Sequence, residues 1–257
     1  MIAIQGDIKA VVLAGGLGKR LTTDGGGDAA APIPKAMRQA SGKPLLRYVL
    51  DALDFLPRED IIIVVGYGRE RVLRAFPEYA YAVQEQQLGT GHAALCAEAA
   101  LAGYDGTLIV CYGDMPLVRR ESYTELVLLH REEGNDCTIL SSASDIPLPF
   151  GRIVRSADGK FLKITETSDC TPEELLITEL NSGVYVFSAK KLFPALHRLS
   201  NQNSQGEYYL TDALAGIKNS GGRVGVYKKD MREEIIGVNT PEDLAEVERL
   251  LALRGRD

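Results

Sequence analysis

The sequence predicts an α/β fold with a mixed, mostly parallel central sheet that is covered by helices. Through the first half of the 257 residues, short apolar runs alternate with segments of helical periodicity, which is typical of parallel strands joined by helices. After about residue 134, the pattern changes to strands separated by short turns, which indicates antiparallel pairs as well.

The first half contains three strands that we expect to be buried, because their apolar runs lack polar alternation and are bounded by Gly or Asp. These strands are Ile8–Ala14, Ile61–Val65 and Thr107–Tyr112. Helical spacing of apolar residues predicts helices over 44–56, 69–75, 90–102 and 120–133. Residues 22–33, with the sequence TTDGGGDAAAPI, are predicted to form a flexible loop.

The second half contains further strands, joined in part by the turn signal Ala157-Asp158-Gly159. The predicted strands are Cys137–Ala143, Gly151–Val154, Lys160–Glu166, Asn181–Ser188, 223–229 and 234–238. The predicted helices are 189–198, 207–218 and 241–253. We expect one domain over 1–257, because α/β domains of this length are common.

Composition excludes several classes of protein. With 29 Lys and Arg against 35 Asp and Glu, the net charge of -6 offers no attraction for a polyanion, so no nucleic-acid partner is expected. The four cysteines form no CxxC pair, so we expect reduced thiols and no zinc site. The N-terminus has no export signal and no apolar stretch could span a membrane, so a cytoplasmic location without membrane contact is expected.

A glycine-rich turn follows the first strand in the segment LAGGLGKR, residues 13–20. Such a turn lets backbone N–H groups approach phosphates at the carboxyl edge of a sheet. The dinucleotide fingerprint fails because Leu21 replaces its third glycine, and a P-loop fails because no Ser or Thr follows Gly18-Lys19. The turn therefore predicts either a phosphate site of another kind or an ordinary turn with solvated basic residues.

Asp114 follows the third strand in the segment YGDMPL, residues 112–117. A carboxylate at this edge could hold a hard cation against phosphates. The alternative is a turn or N-cap residue before the helix near residue 120.

These segments, taken with four others, resemble a known family. The others are QEQQLGTGHA at 84–93, NSGVY at 181–185, QGEYYLTD at 205–212 and GVNT at 237–240. Their order resembles that of the uridyltransferase (pyrophosphorylase) domain of bacterial N-acetylglucosamine-1-phosphate uridyltransferase, in the sugar-nucleotidyltransferase superfamily. The resemblance covers about residues 9–250 and implies a three-layer Rossmann-like nucleotidyltransferase fold. It also implies a nucleotide-binding half at about 1–133 and a sugar-binding half at about 134–240.

The resemblance implies a role for each matching residue. Arg20 and Lys35 would act as the catalytic cations at the phosphates, and Asp114 and Asn239 would hold Mg²⁺. The residues that would bind the nucleotide are Leu13, Ala14, Gly15, Gly16, Gln84, Gly89 and Thr90. The residues that would bind the sugar and ribose are Tyr112, Gly113, Gly151, Glu166 and Asn181.

The implied reaction uses UTP and a sugar 1-phosphate, with N-acetylglucosamine 1-phosphate expected, and yields a UDP-sugar and pyrophosphate. Alternatives are another sugar 1-phosphate, dTTP or CTP as donor, or a catalytically silent relative that senses sugar nucleotides. Catalysis needs positioning and charge neutralisation more than a strong base. A packing role at a helix start is therefore predicted for His92, and packing beside the sugar for Tyr208 and Tyr209.

The chain also departs from the family pattern. We expect no hexapeptide-repeat acetyltransferase domain of the kind found in bifunctional members, and therefore no acetyl transfer, and the sequence leaves the oligomeric state open. The connector at 21–34 is longer than usual and is interpreted as a surface insertion, with a lid over the phosphates as the alternative. Residues 13–16 have the sequence LAGG where this family has LAAG, so the identities of the sugar and of the nucleobase are left open.

Overall fold

The computed structural model describes residues 7–16, 18, 33–144, 148–231 and 233–254. Its strands are β1 (Ile8–Leu13), β2 (Gln39–Ala40), β3 (Lys43–Pro44), β4 (Ile61–Val65), β5 (Ala80–Val83), β6 (Thr107–Tyr112), β7 (Cys137–Ala143), β8 (Arg152–Arg155), β9 (Phe161–Thr165), β10 (Glu179–Ser188) and β11 (Val224–Lys228). Its α-helices are α1 (Leu45–Ala52), α2 (Arg69–Ala75), α3 (Thr90–Cys96), α4 (Arg120–Glu133), α5 (Pro172–Leu175), α6 (Ala189–Leu196), α7 (Leu210–Asn219) and α8 (Pro241–Arg254).

A single nine-stranded sheet runs through both halves of the described chain, in the order β11-β7-β10-β6-β1-β4-β5, with β8 paired to β10 and β9 paired to β8. The pairs β6-β1, β1-β4, β4-β5 and β11-β7 are parallel. Strand β10 is antiparallel to both β6 and β7 and joins the two parallel groups. The prediction of a mixed, mostly parallel sheet is confirmed.

Helices cover both faces of this sheet. Alternate residues of β1 point to opposite sides, so Ala10 and Val12 belong to one apolar cluster and Val11 and Leu13 to another. The first cluster includes buried residues of α1, α2 and α4, and the second includes those of α3, α6 and α7. The result is three layers, with the sheet buried between two layers of helices.

Several predicted elements differ from the observed ones. The predicted strand at 234–238 is wrong, because this segment is a loop whose Ile235 and Val238 are buried without a strand partner. The predicted helix at 90–102 ends at Cys96 and is followed by a separate 3-10 turn, Ala99–Leu101. Strand β5 was not predicted, because its sequence AYAV lacks a β-branched run.

Within the described residues, none of the helices has both the length and the apolar character needed to cross a bilayer.

Candidate functional site

A cleft of about 550 Å³ opens at the carboxyl edge of the parallel strands. Strands β1, β4, β5 and β6 all end there, and the residues after them face one another. Backbone hydrogen bonds continue beyond the strand ends, from Ala14 N to Val64 O at 2.8 Å and from Gly113 N to Leu13 O at 2.9 Å. The loops that border the cleft therefore begin at positions fixed by the sheet.

The cleft brings together eleven of the residues predicted from the sequence. They are Leu13, Ala14, Gly15, Gly16, Lys35, Gln84, Gly89, Thr90, Tyr112, Asp114 and Asn239. Further lining residues that the sequence reasoning did not name as site residues include Gln87, Phe150 and Glu207. Gln87 and Glu207 lie inside the motifs QEQQLGTGHA and QGEYYLTD, which was the available signal for both.

Lys35, Asp114 and Asn239 form a charged cluster at one side of the cleft. The Lys35 ammonium makes an ion pair with the Asp114 carboxylate and donates a hydrogen bond to Asn239 Oδ1 at 2.7 Å. The side chains of Lys35 and Asp114 are only 17% and 20% exposed. One cation is thus held between a carboxylate oxygen and an amide oxygen.

Local structure positions each member of this cluster. Lys35 begins a 3-10 turn, Lys35–Met37, that is anchored by the buried Ala36. Gly18, with φ +61°, allows close packing, because a Cβ there would lie 3.2 Å from the Lys35 Cβ. Asp114 is joined to the loop of Asn239 by a hydrogen bond from Val238 N to its carbonyl oxygen, at 3.1 Å.

The amino end of α8 orients Asn239. Asn239 Nδ2 donates to Gly237 O at 3.0 Å, which leaves Oδ1 facing Lys35. The Asp243 carboxylate accepts from Asn239 N at 2.8 Å and from Thr240 N at 2.9 Å. These bonds satisfy backbone donors before the first turn of α8 and fix the loop against the cleft.

Gln84 lies on the opposite side of the cleft, directly after β5. It is 4% exposed, and its backbone N–H donates to Val65 O at 2.8 Å. Its Nε2 donates to Gly89 O at 3.0 Å and contacts His92 Nδ1 at 3.2 Å. His92 lies at the helix start, as expected, and also contacts a predicted binding residue.

The loop of Gly89 and Thr90 is fastened to the segment before α7. Gly91 N donates to Tyr208 O at 2.7 Å, and Tyr208 N donates to Leu88 O at 2.8 Å. Leu210 N donates to Thr90 Oγ1 at 3.0 Å. The predicted helix at 207–218 therefore begins only at Leu210, because the backbone before it is paired with residues 88–91.

Two of the predicted sugar residues, Asn181 and Tyr112, are linked through the Tyr185 hydroxyl. Asn181 N donates to Gly151 O at 2.8 Å, and Asn181 Nδ2 donates to the Tyr185 hydroxyl at 2.7 Å. Tyr112 is hydrogen-bonded to Thr90 and Tyr185, and burial together with Glu166 raises its pKa. Gly113, Gly151, Glu166 and Asn181 are outside the set of described residues that line the cleft itself.

Glu166 is the acidic member of this group. Its Oε1 accepts from Thr211 Oγ1 at 2.9 Å, and burial raises the pKa of its carboxyl above the usual value. A half-buried carboxylate next to protonated phenols can accept hydrogen bonds from the hydroxyls of a ligand.

Arg20, Lys19 and nearly all of the 21–34 connector lie outside the described residues, so the predictions made for them are not placed. All four cysteines are free thiols, as expected. Among the residues that the structure describes, no three or more His, Cys, Asp or Glu side chains gather into a cluster that could hold a metal ion without other ligands.

Residues 10–217 match the family described as the MobA-like NTP transferase domain. The chain belongs to this nucleotidyltransferase family. It is 41% identical over 249 residues to the bifunctional protein GlmU of Syntrophomonas wolfei, covering 96% of this chain and 54% of that protein. It is also 41% identical to GlmU of Caldanaerobacter subterraneus, covering 96% of this chain and 52% of that protein.

The chain therefore spans about half the length of these curated relatives. A solved structure from Bacillus anthracis, described as a glucose-1-phosphate thymidylyltransferase in complex with sucrose, superimposes with a TM-score of 0.75. It covers 95% of each chain at 18% identity, which is evidence for the shared fold. The expected nucleotidyltransferase fold and membership of the sugar-nucleotidyltransferase superfamily are confirmed.

Proposed function

We propose that the chain transfers a uridylyl group from UTP to a sugar 1-phosphate, with N-acetylglucosamine 1-phosphate as the acceptor. The observation that carries the proposal is the convergence of Lys35, Asp114 and Asn239 in the same cleft as Gly15 and Gln84. The Lys35 ammonium, with its two oxygen partners, lines the same cleft as the buried amide of Gln84 and the glycine turn after β1. This arrangement suits a nucleoside triphosphate whose base and phosphates are held at separate ends.

The base would be bound between the turn after β1 and the loop after β5. Gly16 is exposed with open space around its Cβ position, Gly15 lines the cleft, and the buried amide of Gln84 borders the same space. A buried amide discriminates strongly between bases, since a base with the wrong edge leaves it without a partner.

The reaction would proceed by attack of a phosphate oxygen of the sugar 1-phosphate on the α-phosphorus of UTP. The bond from that phosphorus to the bridging oxygen breaks, and pyrophosphate leaves with the electron pair. The attacking oxygen is anionic at neutral pH, so no general base is required. The Lys35 ammonium would neutralise the charge that develops on the phosphate oxygens.

Asp114 and Asn239 fit a divalent cation, because their side-chain oxygens already converge on one positive charge, the Lys35 ammonium. One carboxylate and one amide oxygen suit Mg²⁺, which takes its remaining ligands from phosphate and water. Such an ion, when bound, would supply further charge neutralisation at the phosphates.

The sugar would lie beside Tyr112, where Glu166 and Asn181 are held by Thr211 and Tyr185. These acceptors and donors match the hydroxyl and amide groups of an N-acetylated sugar. We assign the reaction to the cytoplasm, in accord with the substrates proposed.

The test is release of pyrophosphate by the purified protein with Mg²⁺, using UTP, dTTP and CTP in combination with a panel of sugar 1-phosphates. We expect the fastest EDTA-sensitive release with UTP and N-acetylglucosamine 1-phosphate. The same assay is run on Asp114→Asn, for which activity should fall by about 10²-fold or more because the cation site loses its charge.

Asp105→Asn provides the matched control. Asp105 also pairs with a lysine, Lys190, but it precedes β6 at the opposite edge of the sheet and is exposed. Its loss should leave the rate unchanged. Release with a different donor or acceptor would correct the specificity, and binding of UTP without release under any pairing would overturn catalysis in favour of a sensing role.

A further inference from the structure

We propose that His92 is a positioning residue, which holds the amide of Gln84 with its oxygen toward the nucleobase and thereby determines which pyrimidine is accepted. This inference rests on the proposed function, because it takes Gln84 to read the base.

The hydrogen bonds of Gln84 Nε2 define the state of His92. Nε2 carries two hydrogens and cannot accept, so it donates one to Gly89 O at 3.0 Å and the other to His92 Nδ1 at 3.2 Å. His92 Nδ1 must therefore be the unprotonated ring nitrogen. The ring hydrogen is on Nε2, which faces Cys96 Sγ at 4.0 Å.

Cys96 is compatible with this neutral imidazole. Burial raises the pKa of its thiol, so the sulfur is uncharged at neutral pH and can act as a weak acceptor. A thiolate in its place would favour the doubly protonated ring, in which Nδ1 would be a donor facing the donor Nε2.

The opposite end of the Gln84 amide faces the cleft. A Cβ placed on Gly15 would lie 2.9 Å from Gln84 Oε1, so this oxygen borders the glycine turn that lines the cleft. With both Nε2 hydrogens engaged, Gln84 presents an acceptor to a ligand. A flipped amide would place Oε1 against His92 Nδ1 and Gly89 O, which are both acceptors, at the cost of two hydrogen bonds.

An acceptor at this point distinguishes pyrimidines by their N3 position. Uracil and thymine carry a hydrogen on N3 and can donate it to Gln84 Oε1, whereas cytosine presents a lone pair there. Cytosine would therefore leave two acceptors facing each other in a buried site, which is strongly unfavourable. His92 contributes to this selection without contacting the base.

The experiment measures kcat and KM for UTP and for CTP with the wild-type full chain and with the variants His92→Ala, His92→Gln and His92→Asn. Asparagine places an acceptor oxygen near the position of Nδ1, whereas glutamine extends beyond it. We expect His92→Ala and His92→Gln to raise the KM for UTP and to reduce the preference for UTP over CTP, each by about tenfold. The KM for the sugar 1-phosphate should stay within about twofold, and His92→Asn should retain most of the preference.

A double-mutant cycle with Gln84→Ala separates positioning from packing. If His92 acts through Gln84, His92→Ala should add no more than about a twofold effect to Gln84→Ala. His197→Asn, an exposed histidine that pairs with Glu98 outside the cleft, is the control for loss of an imidazole.

An unchanged UTP preference in His92→Ala and His92→Gln, or effects that multiply in the double variant, would overturn the role of His92. If His92→Ala does not fold, a comparison of the folded His92→Asn and His92→Gln variants decides the matter, and equal preferences in these two would overturn it. The failure of the proposed function would look different, because the wild-type chain itself would then release no pyrophosphate from UTP or would favour CTP.

Discussion

Lys35 is the only cationic side chain among the described residues that line the cleft. We expect Lys35→Met to lower kcat by about 10²–10³-fold with a smaller change in the KM for UTP, because its charge acts mainly on the transition state. Steady-state kinetics check this. Lys190→Met is the matched control, since Lys190 pairs with Asp105 at the other edge of the sheet. A kcat within twofold of wild type for Lys35→Met would contradict the assignment.

Gly183 packs directly against the Tyr112 ring. Its φ is +76°, and a Cβ there would lie 2.6 Å from the Tyr112 ring. We expect Gly183→Ala to lower the free energy of unfolding by about 3 kcal/mol, from backbone strain together with overpacking. Gly159→Ala, with φ +81° and open space around its Cβ, should cost about 1 kcal/mol. Both free energies of unfolding are measured by urea denaturation. Equal decreases in Gly183→Ala and Gly159→Ala would show that the contact with the Tyr112 ring is unimportant.

At the same scale, the sequence predicted residue types better than their contacts. The motif order selected Lys35, Asp114 and Asn239, and the structure brings them together. However, Lys35 and Asn239 are separated by 204 positions, and no periodicity relates positions so far apart. The contact depends on β1, β6 and the start of α8 meeting at one edge, which only the complete sheet order defines.

At the scale of elements, short apolar patterns predicted the wrong secondary structure where the backbone is hydrogen-bonded to residues distant in the sequence. The helix predicted at 207–218 begins three residues later, because Tyr208 N donates to Leu88 O and Tyr208 O accepts from Gly91 N. The segment 234–238 is apolar like a strand, yet it packs as a loop, with Ile235 N donating to Met231 O and Val238 N donating to Asp114 O. The long strands and helices were predictable because burial on two faces or along one stripe imposes a repeating pattern.

His130 gives an element-scale prediction about α4 and β7. It lies buried on α4, and its Nδ1 contacts Thr138 Oγ1 at 3.0 Å. Burial lowers the pKa of His130 from 6.5 to about 4. Since the unfolded chain binds this proton more readily, the stability contribution is full above pH 6.5 and is lost as the pH falls toward 4.

We therefore expect the wild-type protein to lose about 2 kcal/mol of unfolding free energy through His130 between pH 7.5 and pH 5. His130→Asn should remove this part of the pH dependence, measured by urea denaturation at both values. His197→Asn, at an exposed position, should retain it. An unchanged pH dependence in His130→Asn would contradict the assignment to His130.

At the scale of the whole molecule, the cleft lies where the strand order reverses. From β1, the chain reaches β4 on one side and later β6 on the other, which is the point at which open α/β sheets bind ligands. The antiparallel strand β10, which itself carries Asn181, then lies between β7 and β6, the strand that Asp114 follows. The mixed character of this sheet was predictable from the turn pattern, whereas its strand order was not.

Uridylyl transfer in this cleft can be followed through the phosphorus atoms of UTP. UTP labelled separately at its α- and γ-phosphorus is incubated with the full chain, Mg²⁺ and N-acetylglucosamine 1-phosphate, and the products are separated. We predict the α-label in a UDP-sugar and the γ-label in pyrophosphate, with both signals lost in Asp114→Asn and retained in Asp105→Asn. A γ-label in inorganic phosphate or on the sugar, or the absence of any α-labelled sugar nucleotide, would contradict it.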